Sequence, residues 1–243
     1  MFKYYLIHNL EEYRKNHMFM LFKKYDVDIE NLKIIEHPNK HELTYKLKKE
    51  IVFKNPLFRI RDGWISCSYK HYLAIEDIVN NKYPYSVIME DNIGDFYENV
   101  PQRLEKYLAE LPKDWGIVFD SSWSDYRILG EETVVENRLT YLKSHNITKN
   151  TEGKIICGGA TRAAQFYFLN YKTAKRMKDL FLPFNHSADI WMNEVLKKGK
   201  IKTFWSEPSL VKSKLNNKSS TLFYNEKYLY RIKSKLINKI LDI

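Results

Sequence analysis

Residues 85–92 read YSVIMEDN, a short apolar run that ends abruptly in two carboxylates and an amide. An apolar run of this length with polar neighbours, Tyr85–Met89, is typical of a buried β-strand. In sheets of alternating strands and helices, ligands bind beyond the carboxyl ends of the strands. The stretch therefore predicts a central strand that places Glu90 and Asp91 at the ligand-binding edge of an α/β sheet.

Strands and helices alternate on both sides of this strand. Apolar residues recur at helical spacing in some segments and form short continuous runs in others. The alternation predicts one α/β domain with a mostly parallel central sheet flanked by helices. The predicted strands are 3–10, 31–37, 85–89, 115–119, 164–169 and 201–205; the predicted helices include 14–22, 63–78 (with Ser66 or Ser68 as its cap), 100–111, 171–181 and 188–196.

The composition is that of a folded domain. The 243-residue chain is 44% hydrophobic and 15% aromatic, which is enough to bury one substantial core. No stretch approaches the roughly 18 uncharged apolar residues of a membrane-spanning helix. The first residues lack the apolar segment of a signal peptide, so we expect a cytoplasmic protein. Two cysteines, Cys67 and Cys157, cannot build a disulfide scaffold, and we expect buried thiols.

The formal net charge of +10 suits a phosphorylated ligand, an anionic membrane or a nucleic acid. We expect no nucleic-acid partner, because the sequence has no zinc-ligand spacing, no aromatic RNA-binding motif and no basic stripe before the C-terminal tail. Residues 228–243 form a basic amphipathic pattern. This pattern indicates either a helix packed on the domain or a peripheral contact with a membrane surface. We therefore divide the chain into a domain, 1–220, and a C-terminal segment, 221–243.

Residues 121–153 are polar and lack a strong apolar pattern. Such a long polar stretch inside a compact domain is usually functional. We expect it to be mobile and to close over a bound ligand, excluding water from it.

The adjacent acids Glu90 and Asp91 admit two interpretations. Hard oxygen ligands suit Mg²⁺ or Mn²⁺, and such an ion would bridge a diphosphate. A solvated turn accounts for the same residues, because loops are generally polar.

Several spaced motifs together resemble glycosyltransferase family 25, which includes lipooligosaccharide and collagen-type galactosyltransferases with a GT-A fold. LIHNLEEYR (6–14) is similar to the family's opening strand with its Asn-Leu and downstream Arg, and GWISCSYKH (63–71) is similar to a motif with Gly, Cys and a closing His. Lys70 stands where many members carry Ser. The acidic motif YSVIMEDN follows, and then CGGATRAAQFYFLNYKTAKRM (157–177), NHSADIWMN (185–193) and WSEPSLV (205–211).

The resemblance implies transfer of a sugar from a nucleotide-sugar donor, UDP-linked, to a hydroxyl of a glycan or glycoconjugate, with inversion. It implies a metal, Mn²⁺ or Mg²⁺, held by Asp91 and Asn92, with Glu90 or Asp95 as substitutes. Family members usually end the acidic motif in two aspartates, whereas this chain carries Asn92. Metal dependence is therefore open, and a catalytically silent module that binds nucleotide sugar or glycan is the alternative function.

Six residues are candidates for donor binding under this resemblance, and for some of them a structural role is equally open. Arg14 contacts the uracil or ribose, or forms a surface salt bridge. His71 meets the donor phosphates, or is a structural histidine. The candidates are Asn9, Arg14, Lys70, His71, Glu90 and Asp91.

Asp189 is the candidate general base, since inversion needs a carboxylate to take the proton of the acceptor hydroxyl. His186 and Trp191 lie beside it in the sequence and are candidates for hydrogen bonding and stacking with the acceptor sugar. The other interpretation of Asp189 is an N-cap for a helix over 190–197, a position that Asp favours.

Overall fold

The computed structural model describes residues 2–53, 60–120, 161, 164–206 and 208–212, together with the backbone of three short strands within 121–160. The strands in this part of the chain are β1 (Lys3–Ile7), β2 (Leu32–Ile35), β3 (Tyr85–Glu90), β4 (Asp95–Phe96), β5 (Ile117–Phe119), β6 (Val134–Glu136), β7 (Thr148–Lys149), β8 (Ile155–Ile156), β9 (Phe166–Asn170), β10 (Thr203–Ser206) and β11 (Val211–Lys212). The α-helices are α1 (Glu12–Lys24), α2 (Tyr45–Ile51), α3 (Asp62–Asn81), α4 (Val100–Glu110), α5 (Tyr171–Phe181) and α6 (Ala188–Gly199).

Seven of the described strands form one sheet in the order β2-β1-β3-β9-β5-β10-β6. Five of them, β2, β1, β3, β5 and β10, run in the same direction. β9 runs against its neighbours β3 and β5, and β6 runs against β10 at the edge. The predicted α/β architecture with a mostly parallel sheet is confirmed, and the reversed strand β9 is the part that the apolar pattern did not reveal.

Helices cover both faces of the sheet. Side chains alternate between the two faces along a strand, so Val87 and Met89 of β3 face one core, whereas Ile88 faces the other. The helices α1 and α4 pack on the face of Val87 and Met89, and α3, α5 and α6 pack on the face of Ile88. β3 is thus buried on both sides, which explains why its sequence is continuously apolar.

The predicted caps of α3 are wrong. The helix begins at Asp62, with Arg61 at the N-cap position and no side-chain capping bond. The hydroxyls of Ser66 and Ser68 instead donate to the carbonyl oxygens of Pro38 and His186, at 2.7 and 3.2 Å. Both serines lie within the helix. Ser66 bonds it to the segment between β2 and α2, and Ser68 bonds it to the segment between α5 and α6.

Two predictions concern residues beyond this description. The predicted lid, 121–153, lies outside the described residues except for the backbone of β6 and β7, and the C-terminal segment 221–243 lies wholly outside them. The domain boundary at residue 220 therefore stays a prediction. Of the helices that the structure describes, none is long and apolar enough to span a membrane.

Candidate functional site

The carboxyl ends of β1 and β3 lie side by side. The two strands pair in parallel with Ile7 opposite Glu90, and the amide of Asp91 donates to the carbonyl of Ile7 at 3.1 Å. This pairing brings His8 and Asn9, which follow β1, next to the acids that end β3. Neighbouring parallel strands thus assemble residues that are about 80 positions apart in the sequence.

The Asp91 carboxylate is buried and bonded through both oxygens. Oδ1 accepts from the Arg14 guanidinium at 2.7 Å, and Oδ2 lies 2.8 Å from His8 Nδ1 and 3.0 Å from the amide nitrogen of Asn9. Burial by itself raises the pKa of Asp91, but the His8 bond and the Arg14 charge outweigh it and the net pKa is lowered. Asp91 therefore joins the end of β1 to α1 as a buried, ionised anchor.

The loop after β1 presents Asn9 and its neighbours at this edge. Leu10 adopts a left-handed backbone (φ 69°), and the Asn9 side chain accepts from the amide of Glu11 at 3.2 Å. The Asn39 amide donates to the carbonyl of Asn9 at 3.2 Å. Asn9 is half-buried, while Leu10 and Tyr13 are about half exposed, at 46% and 50%. The loop offers apolar and aromatic surface beside a polar side chain.

Glu90, one residue before Asp91, points to the other face of the sheet. Its Oε1 lies 3.2 Å from His71 Nε2 and 3.7 Å from Cys67 Sγ, and its Oε2 accepts from the Asn92 side chain at 3.0 Å. His71 Nδ1 lies 2.9 Å from the Tyr167 hydroxyl. One ligand atom from each of Cys67, His71 and Glu90 lies within 4.8 Å of the others, the only such group found among the residues that the structure describes.

The predicted Mn²⁺ or Mg²⁺ site at Asp91 and Asn92 does not fit these contacts. Both oxygens of Asp91 are bonded to protein donors. The Asn92 carbonyl oxygen accepts from Gln165 at 3.0 Å, while its amino group faces Glu90. The substitute ligand Asp95 lies on β4 and accepts from the Tyr25 hydroxyl at 2.8 Å. A hard cation needs several oxygen ligands directed at one point, and these side chains do not provide them.

Lys70 lies beneath this edge. It is buried, and its ammonium donates to the carbonyl of His8 at 2.7 Å. Burial lowers the pKa of Lys70, while the charges of Cys67 and Asp91 act in the opposite direction. This placement supports the end of β1 and does not fit the predicted contact with a donor phosphate. Arg14 is likewise buried against Asp91, so its predicted contact with a nucleoside does not fit either.

Asp189 lies in the first turn of α6, and Ser187 occupies the N-cap position. The interpretation of Asp189 as the N-cap is therefore wrong. Its Oδ1 accepts from the Ser187 hydroxyl at 2.6 Å, and its backbone carbonyl accepts from Thr161 and Asn193, each at 2.9 Å. The carboxylate is half-buried and held in one orientation at the start of the helix.

The two acceptor candidates differ in their placement. His186 is half-buried, and its carbonyl accepts from Ser68 of α3. Trp191 is 3% exposed, and its indole N–H donates to the carbonyl of Phe181 at 2.6 Å. A ring that packs in the core is not open to a sugar, so the predicted stacking role of Trp191 does not fit and the side chain stabilises the core.

Cys67, in the amino-terminal half of α3, lies near both Glu90 and Asp189. Burial and then the Glu90 carboxylate raise the pKa of the Cys67 thiol well above its ordinary value, and Asp189 contributes in the same direction. Both acids are therefore close enough to Cys67 to act on its thiol, and Ser68 of α3 bonds the segment that precedes α6. The structure thus brings together Asn9, His71, Glu90, Asp91 and Asn92, with Asp189 within electrostatic range of Cys67.

Sequence reasoning missed four members of this arrangement. His8 and Gln165 bond the acidic motif, Tyr167 bonds His71, and Cys67 contacts Glu90. The spacing of Cys67 and His71, four residues apart on a helix, is a signal for a shared face that could have found that pair. His8, Gln165 and Tyr167 carry no such signal, because strand pairing alone brings them to the edge.

Comparison with known proteins places this arrangement in context. Among solved structures, the chain is similar to the crystal structure of A197 from STIV, with 13% identity, 89% of this chain and 87% of that chain covered, and a TM-score of 0.47. It is also similar to mouse xyloside xylosyltransferase 1 in its apo form, with 8% identity, 82% of each chain covered and a TM-score of 0.36. Both TM-scores lie below 0.5, so neither likeness carries an argument.

The search of curated proteins finds no match. A family model, however, matches most of the sequence. Residues 1–192 match glycosyltransferase family 25, described as an LPS biosynthesis protein family. The matched range contains β1, α3, β3, the Cys67–His71–Glu90 group and Asp189. Since it spans 192 of 243 residues, the chain belongs to glycosyltransferase family 25.

Proposed function

We propose that this glycosyltransferase moves a sugar from a UDP-linked donor to a hydroxyl of a glycan or glycoconjugate, with inversion and with Asp189 as the general base. The observation that carries the proposal is the half-buried Asp189 carboxylate, which accepts from Ser187 and lies within electrostatic range of Cys67, the neighbour of Glu90. The acceptor lies beside Asp189 and His186, and the donor lies along the ends of β1 and β3. Family membership supports glycosyl transfer, and the GT-A type assignment of the fold belongs to the same proposal.

The nucleoside end of the donor is assigned to the loop after β1. Asn9 offers an amide at a half-buried position, and Leu10 and Tyr13 offer exposed apolar surface beside it. A uracil ring has a flat face and hydrogen-bonding edges, which suit an aromatic ring and an amide respectively. Asp91 and Arg14 contribute indirectly, because they hold the backbone of this loop in place.

The geometry of Asp189 supports the proposed proton transfer. A single displacement at the anomeric carbon inverts its configuration, and the attacking hydroxyl must give its proton to a base. The Ser187 hydroxyl occupies Oδ1 of Asp189 and restricts rotation of the carboxylate. A base held in one orientation takes the proton without a further rearrangement, which is an advantage of preorganised sites.

The test is the variant Asp189→Asn, assayed with a panel of UDP-sugars and glycan acceptors. We expect transfer to fall by about 10² to 10⁴-fold, the usual contribution of a general base, with donor affinity in calorimetry nearly unchanged. The fold should be preserved, because Ser187 is the N-cap. Asp62→Asn is the matched control, since Asp62 also lies in the first turn of a helix but pairs with Lys48 at the surface.

Near-normal transfer by Asp189→Asn would remove Asp189 from the mechanism. Stronger binding of another nucleotide than of UDP would overturn the donor assignment. UDP-sugar binding by the wild-type chain without transfer to any acceptor would favour the silent binding module. The anomeric configuration of the product, measured by NMR, decides between inversion and retention.

A further inference from the structure

The group formed by Cys67, His71 and Glu90 has the composition of a transition-metal site. We propose that these three residues bind one zinc ion, at a position separate from the oxygen-ligand site that the sequence suggested at Asp91 and Asn92. Thiolate, imidazole and carboxylate together are ligands that zinc accepts, whereas Mg²⁺ prefers oxygen alone. The proposal concerns metal binding in the absence of substrate, so it does not depend on the proposed function.

Two of the distances between the ligand atoms match a tetrahedral zinc ion, and the third lies within 4.8 Å. With Zn–S of about 2.3 Å and Zn–N and Zn–O of about 2.1 Å, tetrahedral angles require S···O and N···O separations of roughly 3.6 and 3.4 Å. The Cys67 Sγ to Glu90 Oε1 distance is 3.7 Å, and the His71 Nε2 to Glu90 Oε1 distance is 3.2 Å. Both distances to Glu90 Oε1 are thus close to the required separations, and a small side-chain adjustment brings Cys67 Sγ and His71 Nε2 to theirs.

Neighbouring side chains orient two of the three ligands. The Tyr167 hydroxyl lies 2.9 Å from Nδ1 of His71, which directs Nε2 toward Glu90 and Cys67. The Asn92 amide donates to Oε2 of Glu90, which leaves Oε1 as the oxygen that faces the group. Hydrogen bonds of this kind to the ligands of a metal are a regular feature of zinc sites.

Rigid elements hold the ligands, and the site is accessible to an ion. Cys67 and His71 lie four residues apart on one face of α3, and Glu90 ends the buried strand β3. His71 is fully buried, while Cys67 is partly exposed and the Glu90 side chain is 17% exposed. Three protein ligands leave a fourth tetrahedral position for water or another oxygen ligand. Binding releases the thiol proton to solvent, since thiolate is the ligand form.

If the proposed function also holds, the ion lies at the sheet edge assigned to the donor. It would then supply positive charge near the leaving diphosphate, a role that the Asp91 and Asn92 side chains do not support. This consequence rests on the proposed function, whereas the metal site itself is measured without nucleotide. A negative result for the zinc site therefore does not affect the proposed function, and a negative result for the function does not affect the zinc site.

The experiment uses the full chain, stripped of metal and titrated with Co²⁺ and then Zn²⁺. Zn²⁺ is d¹⁰ and has no visible absorption, so Co²⁺ serves as the spectroscopic probe. Octahedral aqueous Co²⁺ absorbs only weakly, whereas Co²⁺ in a tetrahedral site with a thiolate ligand gives strong visible d–d bands and a near-ultraviolet thiolate charge-transfer band. We expect both bands to saturate at one equivalent and to disappear when Zn²⁺ displaces Co²⁺. Zinc should also protect Cys67 from alkylation, measured by mass spectrometry on the wild-type chain.

Matched variants assign the ligands. Cys67→Ser should abolish the charge-transfer band. Cys157→Ser should retain it; Cys157 is the second cysteine of the chain and lies outside the described residues. Glu90→Gln should weaken metal binding, and Glu36→Gln, which changes a surface acid paired with Lys15, should not. Tyr167→Phe keeps the ring but removes the hydroxyl, and we expect metal affinity to fall by about 10 to 100-fold.

Three results would overturn the proposal. The first is the absence of a thiolate charge-transfer band in the wild-type chain. The second is a band that survives in Cys67→Ser. The third is unchanged alkylation of Cys67 with one equivalent of Zn²⁺ present, which would leave the three side chains as a hydrogen-bonded group without metal.

Discussion

Glu90 and Asp91 are consecutive acids of one motif, yet they belong to opposite faces of the sheet. The Asp91 side chain is 6% exposed and bonded to Arg14, His8 and the backbone of Asn9 on the side of α1. The Glu90 side chain is 17% exposed and contacts His71 and Cys67 on the side of α3. Because successive side chains of a strand point to opposite faces of the sheet, the two adjacent carboxylates contact different residues. We therefore propose different roles for the two acids, ligand chemistry for Glu90 and stabilisation of the fold for Asp91.

The largest expected effect separates the two acids by stability. Asp91→Asn removes the buried carboxylate that pairs with Arg14, leaves Arg14 with the more exposed Glu11, and places an amide near donors. We therefore expect the free energy of unfolding to fall by about 3 to 5 kcal/mol. Asp95→Asn is the control, because Asp95 is partly exposed and pairs with Lys24 at the surface. Its loss should stay below about 1 kcal/mol. Urea denaturation measures both, and equal losses would contradict the structural role assigned to Asp91.

The pH dependence of stability sharpens this contrast. The pKa of Asp91 is lowered in the folded state relative to the usual value of about 3.9. Its stabilising contribution is therefore fully present above that value and is lost as the pH falls through the lowered pKa. The stability difference between the wild type and Asp91→Asn should be constant from pH 7 to 5 and shrink below pH 4. A difference that stays constant down to pH 3 would show that the Asp91 charge does not stabilise the fold.

The smallest expected effect concerns Asn92. Asn92→Asp replaces the amide that donates to Glu90 with a second carboxylate, and we expect a loss of about 1 kcal/mol in the free energy of unfolding. The matched control is Asn31→Asp, since the Asn31 amide donates to Asp28 at 2.6 Å at an exposed position. Its loss should be smaller, because water screens the two charges there. A stabilised Asn92→Asp protein would indicate that Glu90 is neutralised by another partner.

Most of the architecture could be predicted from the sequence. Runs such as Tyr85–Met89 and the helical spacing after Gly63 determine local structure, since burial on both faces of a strand or one face of a helix requires them. The direction of β9 could not be predicted in this way. Its apolar run is the same for either direction, and only its pairing with β3 and β5 shows that it is reversed.

The sequence also located the sheet edge at which the acidic motif lies, because an acid that follows a buried strand must lie where that strand ends. The sequence did not show that Glu90 and Asp91 have different partners. Asn9, His71, Glu90 and Asp91 come together as expected, but only Asn9 and Glu90 of these four are partly exposed. His71, Asp91, Arg14, Lys70 and Trp191 are buried. Burial and partner choice depend on which elements pack over a residue, and no local pattern records this.

Local periodicity and strand-end chemistry thus determined the α/β class and the position of the acidic motif. The order of several motifs supported the family resemblance, which the match over residues 1–192 confirms. Tertiary structure alone decided that Asp91 pairs with Arg14 and that Cys67 meets Glu90. The physical reason is the range of the interactions. Periodicity reflects neighbours within one or two turns, whereas these contacts join separate elements whose positions depend on the packing of the whole sheet.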